Sequence, residues 1–230
     1  MKKNEEQLMS TQHWRQLDIA DPEQLQDKIT VIGVGSIGSF VTLALAKMGC
    51  GNIEVYDFDK VELHNLPNQF YRKNDCGKPK VVALQGIIQD FTGINITINN
   101  EKFETQHISG GYVIFAVDNM DARMKIWHDV IKLNPMIKKL IDARMGGEVF
   151  RVLSVNPADI DDIEYYEKLL YPTKDAIQLP CSAQSIIYNI LGVSSTVVNI
   201  IKKVMLLEKV PREVSSDLKK LSFYKSKTWG

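Results

Sequence analysis

Cysteine is scarce in this chain, which holds Cys50, Cys76 and Cys181 and no C-x-x-C pair. That pattern offers neither a disulfide framework nor a structural zinc site, and a reducing cytoplasm is the expected setting. An excess of one charge is also missing. Lys plus Arg and Asp plus Glu are equal at 28 each, whereas a dedicated nucleic-acid binder carries basic excess, so no nucleic-acid partner is expected. The most apolar late stretch, 186–207, is broken by Asn189, Ser194, Ser195, Asn199, Lys202 and Lys203. It reads as a buried helix, and no membrane partner is expected. Met1 to Glu6 lack the apolar stretch of a secretory signal. Internal repeats, low-complexity tracts and a second glycine-rich turn are absent too.

What is present centres on Lys28 to Lys47. Ile29 to Val34 reads as a buried strand, followed by a glycine turn and a largely apolar helix. Gly33, Gly35 and Gly38 fit G-x-G-x-x-G where the pattern has meaning, after a strand and opening a helix. Gly33 permits the tight turn, Gly35 lets a phosphate approach the backbone, and Gly38 lets helix and strand pack closely. The helix start then offers free N–H groups and partial positive charge to an anion. The alternative is a strand-to-helix turn that binds nothing.

The rest of the chain alternates strand and helix, the pattern of an α/β, doubly wound, Rossmann-like and mostly parallel sheet with helices on both faces and a long C-terminal helix. Three segments are expected: a helical arm over 1–27, a nucleotide-binding domain over 28–210 and a basic tail over 211–230. Residues 4–27 read as helical and polar, with Trp14 and Leu17 as packing points. Arg15 is flagged there against a solvated surface role. Asn52 to Asp57 is a second strand. Asp57 stands about 20 positions past the glycines, where an acid holds ribose hydroxyls; Asp59 reads as either a ligand or a turn carboxylate. The irregular segment 60–78 carries Asn65, Asn68, Gln69 and Arg72, all suited to polar recognition. Lys80 opens the next helix against its dipole, a mild misfit that an anionic ligand explains. Tyr112 to Val117 is a central strand ending in Asp118-Asn119. Asp118 therefore lies at the ligand end of the sheet, suited to a metal ion or charged substrate, or to capping the helix expected over 120–133. Strands follow over 139–143 and 147–155. The acids Asp161, Asp162 and Glu164 read as a solvated helix face. Cys181 precedes a helix expected to run from Ser182 to about Leu207, where it is either a nucleophile of lowered pKa or a small buried residue.

The ordered set of motifs resembles a family. Trp14-Arg15-Gln16, Gly33-x-Gly35-x-x-Gly38, Asp57-Phe58-Asp59-x-Val61, Asn65-Leu66-Pro67-Asn68-Gln69-Phe70, Gly77-Lys78-Pro79-Lys80 and Asp118-Asn119-x-x-x-Arg123 occur in that order. The chain resembles the ThiF/MoeB/HesA family from about Trp14 to Leu207. The resemblance implies adenylation of the C-terminal carboxylate of a ubiquitin-like or sulfur-carrier protein, ending in Gly-Gly, with ATP and Mg2+ and release of pyrophosphate. It implies that the glycine turn, including Ser36, lies under ATP, that Asp57 binds the ribose, that Asn65 and Lys80 contact phosphates and that Asp118 holds Mg2+. It implies that Arg15 serves the nucleotide of the opposite subunit of a homodimer, and that Cys181 accepts sulfur or acyl groups. The chain departs from the pattern in having Asn68 where the family usually has arginine, with Arg72 as a stand-in, and in lacking paired C-x-x-C motifs. It is expected to be a minimal member with no zinc. Two other readings stand beside this one: a non-catalytic scaffold or heterodimer partner of the same family, and an NAD-dependent oxidoreductase built on the same glycine turn.

Overall fold

The computed structural model describes residues 12–175 and 185–226. In them, β1 (Ile29–Ile32), β2 (Ile53–Tyr56), β3 (Thr97–Asn99), β4 (Gly111–Phe115), β5 (Ile137–Gly146), β6 (Val149–Val155), β7 (Glu213–Asp217) and β8 (Ser222–Lys225) form one sheet. The spatial order is β3-β2-β1-β4-β5-β6-β7-β8. The strands from β3 to β5 run parallel to their neighbours, and those beyond β5 run antiparallel. The α-helices are α1 (Ser36–Met48), α2 (Lys80–Thr92), α3 (Met120–Ile126), α4 (Ile160–Glu167) and α5 (Ile187–Met205).

Strand periodicity explains the two layers of helices. Successive side chains point to opposite faces, so β1 sends Ile29 and Val31 into one core and Ile32 into the other. The first core packs the sheet against α1, α2 and α5. The second packs Phe115, Leu140 and Leu153 against Trp127, Ile163 and Tyr166, beneath α3 and α4. A strand buried on both faces has to be apolar throughout, and Ile29-Thr-Val-Ile32 meets that with one buried hydroxyl. The doubly wound architecture expected from the sequence is therefore present.

Several local expectations differ from the fold. Residues 12–27 hold turns and one short 3-10 turn, Pro22–Gln24, in place of the expected helical arm. The segment is tied to the end of α1 instead: the Gln16 side chain donates to the carbonyls of Ala20 and Met48. The helix expected over 120–133 stops at Ile126 and continues as one π turn, Trp127–Ile131. The segment after Pro211, expected as a tail, supplies β7 and β8. Its strands are masked in the sequence because only Val214, Glu213 and Ser216 of β7 are buried, and two of those are polar. Asp162, expected on a solvated face, is buried, where it accepts from the Asn156 N–H and pairs with Arg212. The long helix begins at Ile187; Ser182 and Cys181 lie outside the described residues.

Candidate functional site

The strand order reverses at β1, whose neighbours are β2 on one side and β4 on the other. In open α/β sheets the crevice beyond the carboxyl ends of strands at such a reversal receives ligands. The glycine turn leaves β1 there, Asp57 follows β2, and Asp118 follows β4.

Gly33 and Gly38 act as the spacing predicts. Gly33 has φ +91°, and a Cβ on it would stand 2.8 Å from the Ala116 carbonyl oxygen. A Cβ on Gly38 would stand 1.9 Å from the Gly33 carbonyl oxygen, so α1 can approach β1 only with hydrogen at that position. Gly35 differs. The nearest atom to its missing Cβ is Gln69 Nε2 at 3.8 Å, so no protein contact demands glycine there. Gly35 is also the N-cap of α1, and no side chain caps that helix. Ser36 is the half-buried first residue of α1. Gln69 leans over this turn with its Oε1 buried and, among the described residues, without a hydrogen-bond partner. A bare helix start, a vacant Cβ position and an orphaned acceptor together form a polar cradle that the protein leaves incomplete.

The turn is held from both sides at Val34. Its N–H donates to Asp57 Oδ2 at 2.8 Å, and its carbonyl accepts from the Tyr71 hydroxyl at 2.7 Å. Asp57 Oδ1 accepts the Asp59 N–H, so the turn carboxylate here is Asp57. Each carboxylate oxygen retains a second lone pair for a hydroxyl ligand. Burial and the nearby carboxylates of Asp57, Asp75 and Asp59 push the Tyr71 hydroxyl far above the ordinary phenol pKa, so it stays a donor.

Lys80 is buried at the start of α2, and its Nζ lies 2.8 Å from Asp59 Oδ2. Asn65 closes a reciprocal turn by accepting the Glu62 N–H. Asn68 lies on the same half-buried loop, and its backbone N–H donates to the Asn65 carbonyl. Arg72, the expected stand-in for a cation at 68, is directed elsewhere. It bonds Asp75 at 2.9 Å and Asp90 at 2.8 Å. Asp90 is in the last turn of α2, about 15 Å along that helix from Lys80, so Arg72 braces the loop against α2. Arg15 is exposed beside Trp14, at the far end of α1 from the glycine turn. Thirteen residues of helix separate the two, about 20 Å.

Asn119, not Asp118, caps α3 by accepting the Ala122 N–H. Asp118 is exposed, and among the described residues nothing pairs with its carboxylate, which remains available. Among the described residues no three acidic, histidine or cysteine side chains cluster to hold a metal alone. One free carboxylate still fits Mg2+, which is commonly bound by one or two carboxylates together with substrate phosphates. Thr173 hydrogen-bonds Asp121 and Asn119 next to Asp118. Ser185 bridges Gly147 at the end of β5. These two contacts flank the segment that holds Cys181.

The sequence reading missed a buried cluster behind Asp118. Asp142 in β5 is fully buried and accepts from Arg123 Nε at 2.7 Å, Arg144 Nε at 2.8 Å and the Tyr166 hydroxyl at 2.9 Å. Burial works to raise its pKa, but the two guanidiniums override it and hold the carboxyl below the usual range. The signal was present: an acid inside the apolar run Leu140-Ile-Asp-Ala143 has to find charged partners.

Comparison with known proteins agrees with this fold. The ThiF family profile matches residues 12–226. Ubiquitin-like modifier-activating enzyme 5 of Bombyx mori is 37% identical over 122 residues, covering 45% of this chain and 31% of the relative. The Caenorhabditis briggsae enzyme of the same name is 32% identical over 126 residues, covering 47% and 29%. The chain thus matches about a third of the length of these relatives. Among solved structures, PaaA superposes with a TM-score of 0.75 at 18% identity, covering 96% of this chain and 74% of PaaA. Escherichia coli MccB with ATP gives 0.68 at 15%, covering 89% and 65%. Escherichia coli tRNA N6-threonylcarbamoyladenosine dehydratase, TcdA, gives 0.64 at 17%, covering 86% and 95%. These likenesses are of fold. A family match running from the N-terminal turns through β8 means that the chain belongs to the ThiF family.

Proposed function

We propose that this chain is an ATP-dependent adenylyltransferase that activates the C-terminal carboxylate of a ubiquitin-like or sulfur-carrier protein ending in Gly-Gly, and releases pyrophosphate. The observation that carries this reading is the incomplete cradle at β1: an uncapped α1, an open position at Gly35 and the orphaned Oε1 of Gln69. Relatives named as ubiquitin-like modifier-activating enzymes and a structural neighbour crystallised with ATP support the substrate class.

Bound ATP supplies the electrophilic α-phosphorus and the leaving group, and Mg2+ shields their charge. The chain supplies the setting. The N–H groups at the start of α1 hold phosphate oxygens, and Asp57 accepts the ribose hydroxyls. Gln69 Oε1 takes a donor from the nucleotide. Lys80 leaves Asp59 and turns its charge to the phosphates, with Asn65 and Asn68 beside it. Asp118 holds Mg2+. The nucleophile is a carboxylate, already ionised at pH 7, so no general base is required. Cations aimed at the developing charge in a water-poor cleft contribute about 3 kcal/mol each, by analogy with oxyanion donors.

Arg15 cannot reach its own chain's glycine turn across the length of α1, which supports service to the neighbouring subunit of a homodimer. The exposed Trp14, Leu17 and Ile19 around it are apolar surface suited to burial there. The exposed free thiol of Cys76 supports a reducing, cytoplasmic setting. For Cys181 the proposed step is attack of its thiolate on the adenylated carbonyl: a C–S bond forms, the C–O bond to phosphate breaks, and AMP departs.

The deciding experiment is ATP–pyrophosphate exchange, with the chain alone and then with proteins ending in Gly-Gly. Exchange that requires both a candidate protein and Mg2+ is the expected result. ATP binding without exchange would favour the scaffold reading, for which Asn68 in place of a cation is the specific support. A Cys181→Ser variant should still exchange but form no reducible adduct.

A further inference from the structure

We propose that Asp142 is a positioning residue that sets Asp118 and the chain leading toward Cys181 as a single unit. The inference rests on the nucleotide reading above and adds a residue to it. Asp142 lies in mid-sheet, in register with Phe115 of β4, three residues before Asp118. It reaches the site in two directions.

The first runs through Arg123. That side chain is buried, spans from α3 to Asp142 Oδ1 at 2.7 Å, and places its Nη2 2.9 Å from the Ala143 carbonyl. Two bonds from one guanidinium fix orientation as well as distance. They bolt the first turns of α3 to β5, so the Asp118-Asn119 corner is held between β4 behind it and a pinned helix ahead of it.

The second runs through Oδ2. It accepts the Tyr166 hydroxyl from α4 and Arg144 Nε, while Arg144 Nη1 donates to the Leu169 carbonyl at 2.7 Å. The Tyr166 ring also stacks edge-on against Trp127, at 4.7 Å between centroids. The chain emerging from α4 is thereby fixed at Tyr166 and Leu169, and four residues later Thr173 bonds Asn119 and Asp121. The path from Asp142 to Tyr166 and Leu169, along the backbone to Thr173, then to Asn119, Arg123 and back to Asp142 closes a ring of hydrogen bonds and one short stretch of chain. A shift of the Asp118 corner must move the 169–173 strap, and the reverse holds too.

The charge of the cluster explains why a carboxylate is needed. Two guanidiniums face one acid among apolar side chains, so removing the acid leaves both cations uncompensated. Asp142→Asn keeps the shape and removes the charge. Tyr166→Phe removes one bond only and keeps the packing, so it remains informative if the asparagine variant fails to fold.

The test uses the full chain and two readouts. Calorimetry compares AMP, which needs only the glycine turn and Asp57, with ATP plus Mg2+, which also needs Asp118. Asp142→Asn should weaken ATP–Mg2+ about tenfold, the scale of a misplaced site group, while AMP changes less than about twofold. Tyr166→Phe should shift the same ratio by about threefold. Amide hydrogen exchange should rise together at 119–123 and 169–173 in each variant and stay unchanged in β1 and α1. Equal losses for AMP and ATP–Mg2+, or faster exchange at one segment without the other, would overturn the proposal and leave Asp142 a stability residue. Wild-type protein that binds neither nucleotide would overturn the nucleotide reading itself, while the exchange readout would still judge whether the ring exists.

Discussion

Lys80 is joined to Asp59 twice: its Nζ lies 2.8 Å from Asp59 Oδ2, and its backbone N–H donates to the Asp59 carbonyl at 2.9 Å. The lysine that a nucleotide would need is stored on a half-exposed acid. Lys80 is buried but Asp59 faces water, so the acid can be rehydrated when phosphate takes over the ammonium. Lys80→Ala should lower pyrophosphate exchange by about 100-fold, the scale of losing one charge-stabilising donor. The melting temperature should move by only a few degrees. An intact exchange rate in that variant would remove Lys80 from the chemistry.

Gly35 and Gly38 separate function from packing. Gly35→Ala meets only the flexible end of Gln69, at 3.8 Å. It should fold normally and weaken nucleotide binding at least tenfold by closing the approach to the backbone. Gly38→Ala drives a methyl into the Gly33 carbonyl and should cost about 3 kcal/mol or more of stability. Urea melts and calorimetry on both variants read this contrast, and it fails if the two variants lose stability alike.

Arg72 should be dispensable for the nucleotide. Its partners are Asp75 and Asp90. Arg72→Ala leaves the buried Asp75 carboxylate to the Lys78 ammonium and the backbone N–H of residue 72, a loss of about 1–2 kcal/mol. Unaltered ATP affinity in calorimetry is the expected outcome. A tenfold loss would instead show that Arg72 leaves its acids for phosphate.

Acid should act through Asp142. Its carboxyl is held below the ordinary carboxylate range when folded. The unfolded chain therefore takes up the proton first as pH falls, and the stabilisation is complete above about pH 4. It is lost as pH drops further, through the folded value. Asp142→Asn should be less stable by about 3 kcal/mol at neutral pH, and its gap from wild type should shrink below pH 4. Urea midpoints from pH 7 to pH 2 measure this; a gap that persists to pH 2 would place the acid sensitivity in another carboxylate.

The sequence exposed the parts of this fold whose residues carry meaning in local context. Three glycines between a strand and a helix located the turn, and the apolar run Tyr112 to Val117 located the sheet centre. Two features were hidden because they depend on distant partners. β7 shows one buried apolar residue, Val214, and becomes a strand only when β6 and β8 bracket it. Tyr71 reads as one more aromatic in an irregular loop until the Val34 carbonyl appears 2.7 Å from its hydroxyl. Arg72 misled for the converse reason, since an arginine beside a phosphate motif looks like a ligand when its two carboxylates are 3 and 18 positions away.

Arg15 lies the length of α1 from its own glycine turn, which ties the proposed activity to concentration. If each site borrows its arginine, dilution below the dimer dissociation constant should abolish turnover while every chain still binds nucleotide. Two dead variants should also rescue one another. In mixed dimers of Arg15→Ala and Lys80→Ala chains, one site has lost both cations and the other has lost neither. Random pairing then returns about a quarter of wild-type exchange. A mixture as inactive as its components would mean that the arginine serves no neighbour.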